Sequence, residues 1–160
     1  MGAPSLQGRA RLGNPVHLLA LGFGSGLSPW APGTMGTVAA IPIWWLLSQL
    51  PLAGYLAATA LACVIGIWIC ERAAHDFGVH DHPAIVWDEI VGFLITMILA
   101  PTGLLWVLVG FVLFRAFDII KPWPIGWVDR HVGGGFGIMI DDVIAGVYAA
   151  CVLQIVVRLI

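Results

Sequence analysis

The chain has 160 residues, which suits one domain rather than two. Hydrophobic residues make up 60% of it and charged residues only 10%, whereas water-soluble domains are usually about 45–50% apolar and about 25% charged. This balance excludes an ordinary domain surrounded by water, so lipid must cover part of the surface. The net charge of −2, without a basic stripe, gives no indication of a nucleic-acid partner.

The N-terminal segment, residues 1–15, is predicted to be flexible, and the chain as a whole forms a single membrane-embedded domain over residues 1–160. A signal peptide is not predicted. The apolar sequence that follows Arg9 and Arg11 is interrupted by glycines and ends at Pro29 and Pro32.

The next segment, Gly22-Phe23-Gly24-Ser25-Gly26-Leu27-Ser28-Pro29, leads to the motif Pro32-Gly33-Thr34 before the first long apolar interval. Thr34 is expected to cap the helix that follows. The alternative is that Ser25, Ser28 or Thr34, with nearby backbone amides, holds a phosphate at the N-terminus of that helix.

Long intervals without Asp, Glu, Lys or Arg predict the membrane helices. Adjacent Pro and Gly residues break two of these intervals, near Pro51–Gly54 and Pro101–Gly103, and indicate tight turns. The fold class is therefore an all-α, polytopic helix bundle of two helical hairpins and a C-terminal span. The predicted spans are Thr34–Leu50, Leu52–Cys70, Ile85–Ala100, Thr102–Asp118 and about Met139–Ile160. Four spans, with an interfacial last helix, remain the alternative.

The two hairpin turns carry no charge, and most basic residues fall on the opposite side of this topology: Arg9, Arg11, Arg72, Arg115, Lys121 and Arg130. Only Arg158 falls on the side of the turns. The basic side is therefore predicted to be cytoplasmic. The interfacial tryptophans expected on the same side are Trp30, Trp87, Trp123 and Trp127. All nine acidic residues also belong to this side, and their convergence is the main indication of function.

The motif Ile85-Val86-Trp87-Asp88-Glu89 places two carboxylates at the start of an apolar helix. Compensation of the helix dipole is one explanation. The other is a functional site, because unpaired acids in apolar surroundings are costly within a membrane. Before this motif, His75, His80 and His82 belong to a polar stretch, Arg72–Pro83, that is predicted to be a solvated loop.

Arg115, Asp118 and Lys121 recur at intervals of three residues, which places them on one helix face. They form either an internal ladder of salt bridges or a phosphate clamp beside a metal ligand.

A glycine-rich loop, Gly133-Gly134-Gly135, precedes a helix that carries Asp141 and Asp142 near its start. It is either a flexible connection or a loop whose amides approach an anion. It does not match a nucleotide-binding P-loop, because no Gly-Lys-Ser/Thr follows. His131 is a candidate for proton transfer.

Several carboxylates without a cluster of thiolates suit Mg²⁺ or another cation that prefers oxygen ligands, and nearby Arg and Lys suit phosphate. The combination indicates metal-assisted phosphoryl chemistry at the membrane surface.

These motifs, together with Lys121-Pro122-Trp123-Pro124 and Gly137–Gly146, resemble the phosphatidylglycerophosphatase A family of bacterial membrane phosphatases over about Leu19 to Gly146. The resemblance implies hydrolysis of phosphatidylglycerophosphate to phosphatidylglycerol and phosphate in phospholipid biosynthesis. It also implies Mg²⁺ dependence and an active site on the cytoplasmic face of the inner membrane. Its metal ligands would be among Asp88, Glu89, Asp118, Asp141 and Asp142, with Arg115 and Lys121 as phosphate binders.

The catalytic set expected from the residues and the resemblance is Asp88, Glu89, Arg115, Asp118, Lys121 and Asp142. Either a water activated by the cation or a carboxylate of the site attacks phosphorus. Two other functions remain open: a phosphotransferase for lipid head groups, and a transporter of divalent cations. No role is transferred to His80 or His82, because the sequence around them departs from the family pattern.

Overall fold

The computed structural model describes Leu6 and residues 10–160. The N-terminal segment predicted to be flexible, and with it Arg9, lies largely outside the described residues. All the regular secondary structure in the described part is helical, and no strand occurs there. Its elements are α1 (Pro15–Ala20), a 3₁₀ turn (Gly22–Leu27), α2 (Pro32–Leu47), α3 (Leu52–Phe77), α4 (Trp87–Thr96), α5 (Leu104–Ile120), α6 (Ile125–His131) and α7 (Gly134–Leu159).

Two helices within the described residues, α3 and α7, are long and apolar enough to cross a membrane. Each has 26 residues, about 39 Å at the usual rise per residue. Both are longer than their predicted spans at the same end of the molecule: α3 continues past Cys70 to Phe77, and α7 begins before Met139. Glu71 and Asp76 are therefore helical, and the solvated loop predicted from Arg72 was placed too early.

The predicted span Ile85–Ala100 is wrong in its length. Helix α4 has only 10 residues, about 15 Å, which covers half of a hydrocarbon core. Its residues from Ile90 to Leu94 are all buried, so it lies inside the protein and packs against α7, α2 and α3. Non-helical backbone at both ends of such a helix is tolerated because protein surrounds it.

The other two predicted spans correspond to α2, with 16 residues, and α5, with 17 residues. At about 24–26 Å they are shorter than a typical hydrocarbon core. A count of four or five complete spans is therefore not confirmed.

Helices α4 and α7 cross at two glycines. A Cβ atom added to Gly146 would lie 2.5 Å from the backbone oxygen of Gly92, and one added to Gly92 would lie 2.9 Å from the backbone oxygen of Asp142. Only glycine allows backbones to approach this closely. The crossing brings the first turn of α4, with Asp88 and Glu89, next to the part of α7 that carries Asp142.

The start of α7 is fixed to α3 and to the loop that follows α3. A carboxylate oxygen of Glu71 accepts a hydrogen bond from the Gly135 amide, and His80 Nε2 accepts one from the Gly134 amide at 2.8 Å. These two amides of the glycine-rich loop therefore donate to protein side chains. One interpretation of the sequence had been that they approach a bound anion. The negative charge of the Glu71 carboxylate at this helix N-terminus also interacts favourably with the positive end of the helix dipole.

Helix α1 is attached to the same end of α3 through the buried His17. Its Nδ1 accepts the Arg11 amide at 3.2 Å, so its Nε2 carries the proton and donates to Asp76 Oδ2 at 3.2 Å. Asp76 thus belongs to a structural ion-pair network with Arg72.

Candidate active site

A cavity of about 640 Å³ lies at the end of the bundle where α2, α4 and α7 begin and α5 ends. Seven of the nine acidic residues line it, and so do two basic residues and one histidine. These charged or titratable wall residues are His80, Asp81, Asp88, Glu89, Arg115, Asp118, Lys121, Asp129, Asp141 and Asp142. Residues far apart in sequence therefore meet in one cavity.

Three carboxylates form the centre of this cavity. Asp88, Glu89 and Asp142 each offer one oxygen atom, and these oxygens all lie within 4.8 Å of one another. Asp88 and Glu89 come from the first turn of α4, and Asp142, which is 3% exposed, comes from α7. We refer to Asp88, Glu89 and Asp142 as the carboxylate triplet.

The hydrogen bonding of these acids fits a bound cation. Asp88 Oδ1, Glu89 Oε2 and Asp141 Oδ1 are buried and have no hydrogen-bond partner among the described residues. Buried carboxylate oxygens without a partner are costly, and a cation held by the triplet would satisfy those of Asp88 and Glu89. Because all these donors are hard oxygens, Mg²⁺ suits them better than a softer metal.

Arg115 lies beside the triplet. Its guanidinium forms an ion pair with Asp118 Oδ2 at 2.5 Å and lies 4.0 Å from Glu89 Oε1. The two residues are three positions apart on α5, so the predicted salt-bridge ladder is present at this step. Arg115 Nε remains buried without a partner among the described residues, which leaves donor capacity for an anion.

Lys121 does not continue that ladder. It ends α5 in a left-handed backbone conformation, with φ 47°, and its Nζ lies 2.6 Å from both Asp129 and Asp141. Desolvation opposes the charged form, but the hydrogen bonds to Asp129 and Asp141 outweigh it and raise the pKa of Lys121. The side chain is therefore a permanent cation at the edge of the cavity.

Other candidates from the sequence lie away from the cavity wall. Thr34 is inside α2, whose N-cap is Ala31, so the predicted cap is wrong. Ser25 Oγ is buried near Gly22. His131 is exposed and stacks on Trp127 at the end of α6.

Two further expectations about side-chain environments are also wrong. His82 is buried rather than solvated, and its ring lies 6.0 Å from that of Phe77. Trp87 is partly buried by protein, unlike an exposed interfacial residue, and its indole N–H donates to the Ala62 carbonyl oxygen. Trp30, Trp123 and Trp127 are exposed, as interfacial residues would be.

The structure adds Gly33, Asp81 and Asp129 to the cavity wall, which the sequence had not assigned to the site. A Cβ atom at Gly33 would lie 2.3 Å from Glu89 Oε1 and 3.1 Å from an Arg115 guanidinium nitrogen. The motif Pro32-Gly33-Thr34 was therefore a real signal, but its central glycine, rather than the hydroxyl residue beside it, reaches the site.

The chain matches the family model described as phosphatidylglycerophosphatase A over residues 18–157. It is 54% identical to phosphatidylglycerophosphatase A of Escherichia coli strain K12 over 92% of the chain and 87% of that protein. It is 49% identical to phosphatidylglycerophosphatase A of Haemophilus influenzae over 88% of the chain and 87% of that protein.

A third relative, from Bacteroides thetaiotaomicron, is 39% identical over 86% of the chain and 91% of its own length, and is provisionally named a phosphatidylinositol-3-phosphatase. No solved structure matches the chain.

Proposed function

We propose that this chain, which belongs to the phosphatidylglycerophosphatase A family, hydrolyses phosphatidylglycerophosphate to phosphatidylglycerol and inorganic phosphate. The names of all three relatives describe removal of a phosphate monoester from a phospholipid head group. The two relatives of higher identity share the glycerophosphate substrate, which is why we assign it here rather than the inositol phosphate.

The observation that carries the proposal is the carboxylate triplet next to Arg115 and Lys121 in one cavity. Asp88, Glu89 and Asp142 would hold Mg²⁺. When bound, this cation polarises the phosphate and makes a nearby water more acidic.

The basic residues would bind the substrate's phosphate oxygens. Arg115 offers a planar set of donors beside the triplet, and Lys121, which also lines the cavity, offers a compact charge. Asp118 keeps the guanidinium in place, and Asp129 and Asp141 hold the ammonium. These contacts orient the phosphate before reaction.

For the chemical step, we propose that a water attacks phosphorus and that a carboxylate of the cavity accepts its proton. Asp141 Oδ1 is suited to this role, because it is buried and lacks a partner among the described residues while Oδ2 is held by Lys121. The bond between phosphorus and the glycerol oxygen breaks, and the leaving oxygen takes a proton from solvent. Direct attack by a carboxylate is the alternative, and borohydride trapping of an acyl phosphate would reveal it.

We also propose that the protein is a multi-pass protein of the bacterial inner membrane, with the cavity facing the cytoplasm. The basic residues Arg11, Arg72, Arg115, Lys121 and Arg130 all belong to the cavity end of the helices, and Arg158 belongs to the other end. This asymmetry is typical of the cytoplasmic side.

The test is phosphate release from phosphatidylglycerophosphate by the purified protein in detergent. We expect release with Mg²⁺, loss of release with excess chelator, and recovery when Mg²⁺ is restored. Asp142→Asn should abolish release, whereas His131→Ala, outside the cavity, should not. Release without a divalent cation would contradict the metal assignment, and release only from phosphatidylinositol 3-phosphate would contradict the substrate.

The same assay separates the two other functions. Head-group transfer to an added alcohol without free phosphate would indicate a phosphotransferase. Cation flux in liposomes without phosphate release would indicate a transporter.

A further inference from the structure

One isoleucine on the cavity wall differs from the other two. Ile85 and Ile138 line the cavity and are only 2% and 5% exposed, whereas Ile119 lines it and is 68% exposed. Ile119 therefore belongs both to the cavity and to the outer surface of the bundle. The cavity is open to the outside of α5 at this position.

The outer surface that Ile119 joins is apolar, because every exposed residue of α5 is apolar. Its exposed side chains include Leu104, Leu108 and Val112, which follow one another at intervals of four residues. Such a stripe, without a charged residue, faces lipid when a helix lies in a membrane. Ile119 also lies four residues after Arg115, so the two are neighbours on the helix surface. A cationic side chain inside the cavity thus adjoins an apolar side chain at its edge.

The start of α2 forms a second part of the cavity's edge. Ala31 and Pro32 line the cavity, and the next residue, Gly33, lies close to the Arg115 guanidinium. Exposed apolar side chains continue from here along α2 at Met35 and Val38. Arg115 is therefore flanked by two helix ends, each of which leads outward into an apolar surface.

We infer that the substrate reaches the cavity sideways from the membrane, between the start of α2 and the end of α5, and that its acyl chains contact Ile119 while its phosphate is bound inside. This inference rests on the proposed function and extends it to the lipid part of the substrate. An amphipathic ligand matches the arrangement, because its charged end pairs with Arg115 and its apolar end stays against α5. A water-soluble phosphate ester has no apolar part that could contact this edge of the cavity.

The neighbouring residue provides a matched control. Ile120 is the same residue type at the same helix end and is 74% exposed, but it does not line the cavity. We therefore compare Ile119→Ser with Ile120→Ser. The probes are two non-hydrolysable phosphonate analogues of phosphatidylglycerophosphate, one with 16-carbon and one with 4-carbon acyl chains.

The primary measurement is equilibrium binding of the two analogues to the detergent-purified protein, because it does not require turnover. Ile119→Ser should weaken binding of the long-chain analogue about tenfold, which corresponds to about 1.4 kcal/mol. It should change binding of the short-chain analogue less than twofold, and Ile120→Ser should change neither. The same pattern is expected in kcat/KM for the corresponding lipids.

Equal weakening of both analogues by Ile119→Ser, or equal effects of the two substitutions on the long-chain analogue, would overturn the inference. If Ile119→Ser does not fold, Ile119→Ala is measured against Ile120→Ala by the same criteria. Failure of the proposed function gives a different result, since the wild-type protein would then release no phosphate from either lipid, whereas failure of this inference alone leaves phosphate release intact and removes only the difference between the two analogues.

Discussion

Asp142 is buried and Asp118 is half-buried in the same cavity, and their carboxylates differ in the groups that they contact. Asp142 belongs to the triplet, whereas Asp118 has one oxygen on the Arg115 guanidinium. Asp142 is therefore expected to hold the cation, and Asp118 to position the arginine.

This difference predicts two separable defects. Asp142→Asn should weaken binding of Mn²⁺, used as a spectroscopic substitute for Mg²⁺, by about 10–100-fold or more. Asp118→Asn should weaken Mn²⁺ binding far less but raise KM for the lipid, because Arg115 loses its partner. Electron paramagnetic resonance titration and phosphate-release kinetics check the two effects. Equal loss of Mn²⁺ affinity in both variants would contradict the division of roles.

Gly33 gives a second prediction at the scale of a single residue. In Gly33→Ala the new methyl group would collide with the Glu89 carboxylate, which must move. Displacement of a catalytic group by about 1 Å can lower activity about 100-fold. Stability should not fall in parallel, because Ala favours a helix over Gly by about 1 kcal/mol.

The measurements for Gly33→Ala are phosphate release and the midpoint of thermal unfolding in detergent. Gly13→Ala is the control, since a Cβ atom at Gly13 has no other atom within 4 Å. Full activity of Gly33→Ala would show that Glu89 need not occupy its observed position.

Sequence motifs were enough to predict most of the residues of the site, but not which of these side chains contact one another. The motifs around Asp88, Asp118 and Asp142 identified acids on one side of the topology. Which oxygen lies next to which other oxygen depends on how α4 and α7 are rotated about their axes, and sequence spacing does not determine that. The Lys121 contacts to Asp129 and Asp141 were missed for the same reason, since three different segments supply them.

At the scale of elements, the crossing of α4 and α7 controls the site. Gly92 and Gly146 let the two backbones meet, and the acids of both helices lie close to this contact. The crossing thus sets the spacing of the carboxylate triplet. The sequence did not predict it, because hydropathy identified an apolar segment at Ile85–Ala100 but not the short length of its helix.

Gly146→Ala tests the crossing. The added methyl group meets backbone rather than a flexible side chain, so the helices must separate. Overpacking of this kind costs about 1–3 kcal/mol of unfolding free energy, and Mn²⁺ affinity should fall with it because α4 and α7 both carry acids of the proposed metal site. Thermal unfolding and Mn²⁺ titration check the two effects.

Gly54→Ala in α3 is the matched control, because its nearest neighbour would lie at an ordinary 3.4 Å. It should leave both quantities nearly unchanged. Unaltered stability of Gly146→Ala would mean that the two helices can separate without loss.

At the scale of the whole molecule, charge and hydropathy predicted that the acidic residues gather at one end of the helices. This feature depends least on the exact length of each helix. Charge-free intervals gave antiparallel helices, and antiparallel helices bring their polar ends together regardless of exact length. The number of complete spans was less predictable. A half-length helix buried among others has the same apolar composition as a helix that crosses the bilayer.

The orientation of that end in the membrane is the remaining prediction. Thr102 is exposed between α4 and α5, and Arg130 is exposed at the cavity end. After Cys63, Cys70 and Cys151 are replaced by Ala, Thr102→Cys and Arg130→Cys are introduced one at a time and treated with a membrane-impermeant maleimide. Thr102→Cys should react in intact spheroplasts, because the proposed orientation places its turn on the outer side. Arg130→Cys should react only after the membrane is permeabilised, since basic residues are retained on the cytoplasmic side. Labelling of Arg130→Cys in intact spheroplasts would place the cavity on the outer face and contradict the proposed orientation.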